Sequence, residues 1–243
     1  MDRVRGRVAA ALFSFASLLA LAGGAQAQVV ISQVYGGGGG STAIFANDYV
    51  ELYNRGPAPV SLAGMSVQYA SATGTGNFSG VAVLPSAIVQ PGKYFLVAMS
   101  GGAAGPRLPG PAADGPPAGA AGGGKVALVR QATALACNGG STPCSVEQRA
   151  LIADLVGYGN ANFFEGAGAA PTLSAASAAL RNDNGAADTD QNNADFTAGA
   201  PTPRNSGSTA PEPEPATPRT IPQIQGNALR SPHEGERVVT EGI

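Results

Sequence analysis

Residues 47–65 read NDYVELYNRGPAPVSLAGM: two apolar runs hinged on Asn54-Arg55-Gly56-Pro57. Tyr49, Val50, Leu52 and Tyr53 suit a β-strand, the Asn-Arg-Gly-Pro step suits a turn, and Val60 and Leu62 open a second strand in alternation. The same rhythm recurs along the chain. Strands are expected over 29–35, 49–53, 60–69, 78–84, 94–99, 125–130 and 151–158, with a closing hairpin that begins at 179–182 and carries Phe196 near its end. The glycine run 36–40 and Gln90-Pro91-Gly92 supply turns. No long stretch repeats every 3.6 residues, and 145–153 offers one helical turn or two. Short strands punctuated by Gly and Pro predict an all-β sandwich. A chain of 243 residues with 35 Gly and 19 Pro has room for one such domain and extra segments, and hardly for two.

The first residues give an address. Arg3, Arg5 and Arg7 precede an apolar run over 8–22, and Ala25-Gln26-Ala27 has the small-x-small pattern of a secretory cleavage site. A membrane span needs about 20 apolar residues, and Gly23-Gly24 interrupts this run. Residues 1–27 are therefore expected to be a signal peptide, with a secreted or periplasmic mature chain that starts at Gln28 and has no further membrane span. Without the leader, eleven basic side chains face fifteen acidic ones, a net −4. The basic residues are scattered singly, which argues against a broad phosphate-binding face.

Cys137 and Cys144 are the two cysteines, set in CNGGSTPC. Export places them in an oxidising compartment, and the turn-forming residues between them can bring the sulfurs together. A local disulfide is expected, contributing about 2.5 kcal/mol through the short loop it closes. Catalytic and metal readings of the pair lack a third ligand nearby.

One segment has the composition of a metal loop. Asp183, Asp188, Asp190 and Asp195 alternate with Asn184, Asn192 and Asn193, and their oxygens suit calcium. Against an EF-hand, Asn193 stands where Gly is required and Gly199 where a bidentate Glu is required. Asp and Asn also satisfy turn backbones unaided, so a structural turn is the competing reading. Gly119 to Lys125 fits G-x-x-x-x-G-K, but Val126 replaces the Ser or Thr that would hold magnesium, and a strand is expected to follow. Asn77-Phe78-Ser79 is a glycosylation sequon that matters in a host with the machinery. The single histidine, His233, lies near the C-terminus, and no base, nucleophile and metal cluster can be assembled from the sequence. No catalytic residue and no cofactor other than calcium is assigned.

Glu51, Asn54, Gly56, Val60, Leu62 and Gly64 together resemble the signature of the lamin tail domain, a small immunoglobulin-like β-sandwich. VVISQVYGGGG from Val29 resembles the opening of such domains in bacterial secreted proteins, and VQPGKYFLVAMS resembles their central hairpin. DLVGYGNANFFEG and RNDNGAADTDQNNADFTAGAPTPRNSG resemble the later strands and exit. The resemblance sets a domain at 28–207. It departs from the family in two places: the Gly/Ala/Pro-rich insertion 101–124, expected to be mobile, and Phe163-Phe164, where a polar or cysteine-containing turn is expected. Residues 208–219 are a Pro-rich, extended linker. Beyond them, TIPQIQGNALRSPHEGERVVTEGI resembles the opening of the OB-like domain of large secreted bacterial nucleases, in which an endonuclease/exonuclease/phosphatase domain comes later. Residues 220–243 are too few to close such a barrel, and a disordered tail is the alternative. The resemblance implies a non-catalytic binding or targeting module at the N-terminal end of an extracellular nuclease. Two alternatives stay open: part of an active nuclease whose catalytic domain lies outside this chain, or a free-standing cell-surface adhesion or structural module. The partner would be a cell-surface component, or nucleic acid through a downstream domain.

Overall fold

The structure is a computed structural model that describes residues 28–111, 113–115, 119–208, 217–226, 231–232 and 238–240. The expected signal peptide 1–27, most of the linker and His233 lie outside them.

Two antiparallel hairpin systems face each other. Strands β1 (Val29–Tyr35), β2 (Asn47–Asn54), β3 (Val60–Ser61), β4 (Ser66–Ser71), β5 (Gly80–Val83), β6 (Ile88–Val89), β7 (Tyr94–Gly101), β8 (Ala113–Asp114) and β9 (Gly124–Val129) come first. Helix α1 (Val146–Leu151), β10 (Ile152–Tyr158), β11 (Ala178–Arg181), α2 (Asn192–Asp195) and β12 (Phe196–Gly199) follow. One sheet has six strands in the order β12-β11-β1-β2-β7-β8, and the other has four in the order β10-β9-β4-β5. Alternate residues point inward from both: Val50, Leu52, Phe95 and Val97 meet Val67, Val126, Leu128 and Val156 in one buried cluster. This is the expected all-β sandwich. A bulge between Ile31 and Gln33 shifts the phase of β1, so Ile31 and Val34 both reach that core.

Both outer faces are covered as well. Tyr35, Tyr49, Leu96, Ala98, Leu108 and Ala178 cluster outside the six-stranded sheet, and Phe78, Ala127, Val129, Leu135, Cys137, Leu155 and Phe163 outside the four-stranded one.

Two segments differ from the sequence expectation, and the helix falls where it was expected. The strand expected over 60–69 is broken into β3 and β4, because Gly64 takes φ +77° and the Met65 N–H donates to the Leu62 carbonyl at 3.0 Å. The short helix expected within 145–153 forms as α1, and Ser145 and Gln148 cap each other reciprocally at its start. The described part of the insertion is anchored to the sandwich. The Ala46 N–H donates to the Pro106 carbonyl at 2.8 Å, β8 lies parallel to Val97–Ala98, and Leu108 is buried. An edge strand offers backbone partners that a Gly/Ala/Pro segment can use without side chains. In the tail, β13 (Thr217–Pro218) pairs in parallel with β14 (Val238–Val239), and α3 (Ile221–Gln225) lies between them in sequence. Among the described residues no helix is long and apolar enough to cross a membrane.

Candidate functional site

The acidic segment folds into turns around a buried cation. Asp183, Asn184 and Asp190 adopt positive φ (51°, 54° and 55°), which Asp and Asn tolerate better than other side-chain residues. Asp183 and Asp190 are exposed. Asp195 is buried and accepts from the Thr189 N–H at 2.9 Å, the Thr189 hydroxyl at 2.7 Å and the Gln191 N–H at 3.2 Å. Asp188 receives Arg181 at 3.0 Å and Arg55 at 2.8 Å. Of the four candidate calcium ligands, Asp188 and Asp195 thus face the Arg181 guanidinium, and Asp183 and Asp190 point elsewhere.

Arg181 is the centre of this region. Its side chain is fully buried; Nε donates to the Ile31 carbonyl at 2.8 Å, Nη1 to the Ala187 carbonyl at 3.1 Å, and Nη2 to both Asp154 oxygens at 2.9 and 2.7 Å. The guanidinium lies 4.5 Å from the Phe196 ring centre. A set that shares only Asp188 with the four residues the sequence suggests, Asp154, Glu165 and Asp188, brings carboxylate oxygens within 4.8 Å of one another. Burial raises the Asp154 carboxyl, against the pull of Arg181 and the Ile31 N–H. The Glu165 carboxyl is pushed up to about 9, first by burial and then by the charge of Asp154. Glu165 accepts from the Leu155 N–H at 3.1 Å and the Asn192 amide at 3.2 Å. The electrostatic logic is plain: crowded carboxylates outnumber the cations, and the most easily protonated one keeps its proton near neutrality.

Beside Glu165 lies an open cleft of about 300 Å³ lined by Phe163, Phe164, Arg149 and Asp190, and a second of about 400 Å³ is lined by Gln28, Val60, Met65 and Arg130. At the far end of the sandwich Asp48 is buried and accepts the Gly38 N–H at 2.7 Å. Burial pushes its carboxyl up to about 7, and that hydrogen bond opposes the shift.

The disulfide forms as expected, with Cys137 and Cys144 sulfurs 2.08 Å apart. Within its loop the Asn138 side chain accepts the Gly140 and Thr142 N–H groups at 2.9 and 3.1 Å. Lys125 is buried beneath this loop and donates to the Asn138 carbonyl at 3.2 Å and the Asn162 amide oxygen at 2.9 Å; burial lowers its pKa. The phosphate-loop lookalike therefore ends in strand β9, with its lysine tied to the disulfide loop.

The six signature residues have identifiable structural tasks. Glu51 is buried and holds Arg204 at 2.7 Å. Asn54 donates to the Ala58 and Val89 carbonyls, both at 2.8 Å, and accepts the Gly56 N–H at 3.0 Å. A Cβ on Gly56 would lie 2.1 Å from Gln28 Cγ, Leu62 is fully buried, and Gly64 has the positive φ noted above. Val60 packs against the inner core. Residues 23–195 match the Lamin Tail Domain family. The chain belongs to that family. As a lamin tail domain it is similar in fold to a DUF4876 family protein from Bacteroides thetaiotaomicron, with a TM-score of 0.50 and 13% identity over 76% of this chain and 75% of that one. No curated relative matches the sequence.

Sequence reasoning missed Asp154, Glu165, Arg181 and Arg204. Each acts through a partner remote in the chain, as with Glu51 and Arg204, which are 153 positions apart. The alternation of apolar residues around them carries no trace of that pairing.

Proposed function

We propose that this lamin tail domain is an exported, non-catalytic binding or targeting module, and that it forms the N-terminal part of an extracellular nuclease. The observation that carries the non-catalytic reading is the use made of the buried charges: Glu51 holds Arg204, and Asp154 and Asp188 hold Arg181. Carboxylates whose oxygens are engaged by guanidinium donors are not free to hold a metal ion or an attacking water. The closed disulfide supports export, since such bonds persist in oxidising compartments. The nuclease association rests on the resemblance of residues 220–243 to the opening of an OB-like domain, and makes nucleic acid a partner only through a downstream domain. The test is expression with the native leader: the exported product should have the mass of a chain starting at Gln28 with no alkylatable thiol, and an in-frame or frame-shifted nuclease domain should follow the Ile243 codon. Retention in the cytoplasm with free thiols would overturn export, and unrelated downstream sequence would overturn the nuclease link.

A further inference from the structure

We propose that the outer face of β1, β2 and β7 is a receptor site for an extended, arginine-bearing peptide, which residues 202–204 of this chain fill in cis. The segment after β12 crosses that face without joining the sheet; it is held by side chains. The Gln33 amide clasps the backbone of Thr202, with Nε2 donating to its carbonyl at 2.8 Å and Oε1 accepting its N–H at 3.2 Å. The Tyr49 hydroxyl donates to the same Oε1 at 2.8 Å and fixes the orientation of that amide. A primary amide used in this way reads a peptide unit as a neighbouring strand would.

Two residues on, Glu51 reads the arginine. Its Oε2 accepts the Arg204 backbone N–H at 2.6 Å, and Oε1 accepts Nη2 at 2.7 Å and the Ser32 hydroxyl at 2.5 Å. The guanidinium carbon lies 3.8 Å from the centre of the Tyr94 ring, which is itself packed against Tyr53 at 4.7 Å. Arg204 Nη1 also reaches the Tyr94 hydroxyl at 2.7 Å and the Asn184 carbonyl at 3.2 Å. A buried carboxylate, an aromatic platform and a backbone clasp select a planar cation on an extended chain; the compact ammonium of lysine cannot match the fork. The receptor groups stand on rigid strands, whereas the peptide is a surface segment: Thr202 is exposed and the Arg204 side chain keeps 20% of its accessibility. On this proposal a competing peptide of the same chemistry can displace the segment and take its place. The inference deepens the binding-module reading but stands apart from export and from the nuclease link, which the following test does not use.

The experiment takes the full mature chain 28–243 and a fluorescent synthetic peptide of residues 199–207, GAPTPRNSG. The Arg204→Ala chain, with its own anchor removed, should bind the peptide about tenfold or more tightly than the wild-type chain, whose site is occupied. Replacing the peptide's arginine with alanine, or adding Glu51→Gln to the Arg204→Ala chain, should weaken binding by a similar factor. A folded Arg204→Ala chain that binds neither peptide, or both equally, overturns the proposal. Should that variant fail to fold, hydrogen exchange on the wild-type chain decides: excess peptide should strip protection from the Thr202 and Arg204 amides, and unchanged protection overturns the proposal.

Discussion

Replacing Arg181 with Met tests whether the buried ionic cluster holds the two sheets together. Methionine keeps much of the apolar stem against Phe196 and removes the charge with its donors. Asp154 loses two contacts at 2.9 and 2.7 Å, and the Ile31 and Ala187 carbonyls lose donors at 2.8 and 3.1 Å. Removing one partner of a buried ion pair costs about 3–5 kcal/mol. The low end applies to Asp188, because Arg55 still reaches it at 2.8 Å. For a domain of this size a loss near 4 kcal/mol lowers Tm by roughly 10 °C. The pH dependence gives a second signature. Without Arg181 the raised folded-state pKa of Asp154 rises further above its unfolded value. An acid whose folded pKa is raised contributes stability below the unfolded pKa that is lost as pH increases. The deficit of Arg181→Met should thus be greatest above pH 7 and shrink towards pH 4. Thermal melting by circular dichroism at pH 4, 6 and 8 reads both. A drop below about 3 °C at pH 7, the equivalent of about 1 kcal/mol, or the same deficit at every pH, would refute the reasoning.

Glu165→Gln should flatten the fall of stability with pH: the wild-type carboxyl, held at about 9 against an ordinary value of 4.5, destabilises the fold as pH rises between those values. Partial solvent access limits the gain to about 1–2 kcal/mol near pH 8, and paired melts at pH 5 and 8 with no change in slope would contradict it. Converting Cys137 and Cys144 to Ser should cost about 2.5 kcal/mol in urea unfolding, with the loop over Lys125 the first region to gain hydrogen exchange; an unchanged midpoint would remove the disulfide from the stability account. Calcium should leave the melting temperature unmoved relative to chelator, since Asp188 and Asp195 already face Arg181. A large calcium-dependent rise lost in Asp188→Ala, Asp190→Ala would make the segment a binding site.

Local chemistry made the strands legible. Val29–Tyr35 is bounded in the structure as its β-branched apolar residues and the following glycine run predict, and Gln90-Pro91-Gly92 turns the chain into β7 where expected. Periodicity could not show that Gly64 would break the run from Val60, because an isolated glycine fits a bulge, a turn or a strand. Nor could composition show that the Gly/Ala/Pro insertion finds backbone partners on β7, since those bonds need no side-chain signal. The Arg181 cluster was hidden for another reason. Asp188 was visible as a candidate ligand, but the cation that occupies its neighbourhood comes from β11 and the competing acid Asp154 from β10, brought together only when the sheets pack. The cysteine pair was legible because its loop is short and the expected compartment is oxidising.

The central claim is that this lamin tail domain binds or targets and does not itself cleave nucleic acid. Purified chain 28–243, incubated with plasmid DNA and with RNA in magnesium, manganese or calcium, tests it most directly. The account predicts intact substrate under all three ions; cleavage that follows the protein through purification and disappears in Asp154→Asn or Asp188→Asn variants that remain folded would contradict it.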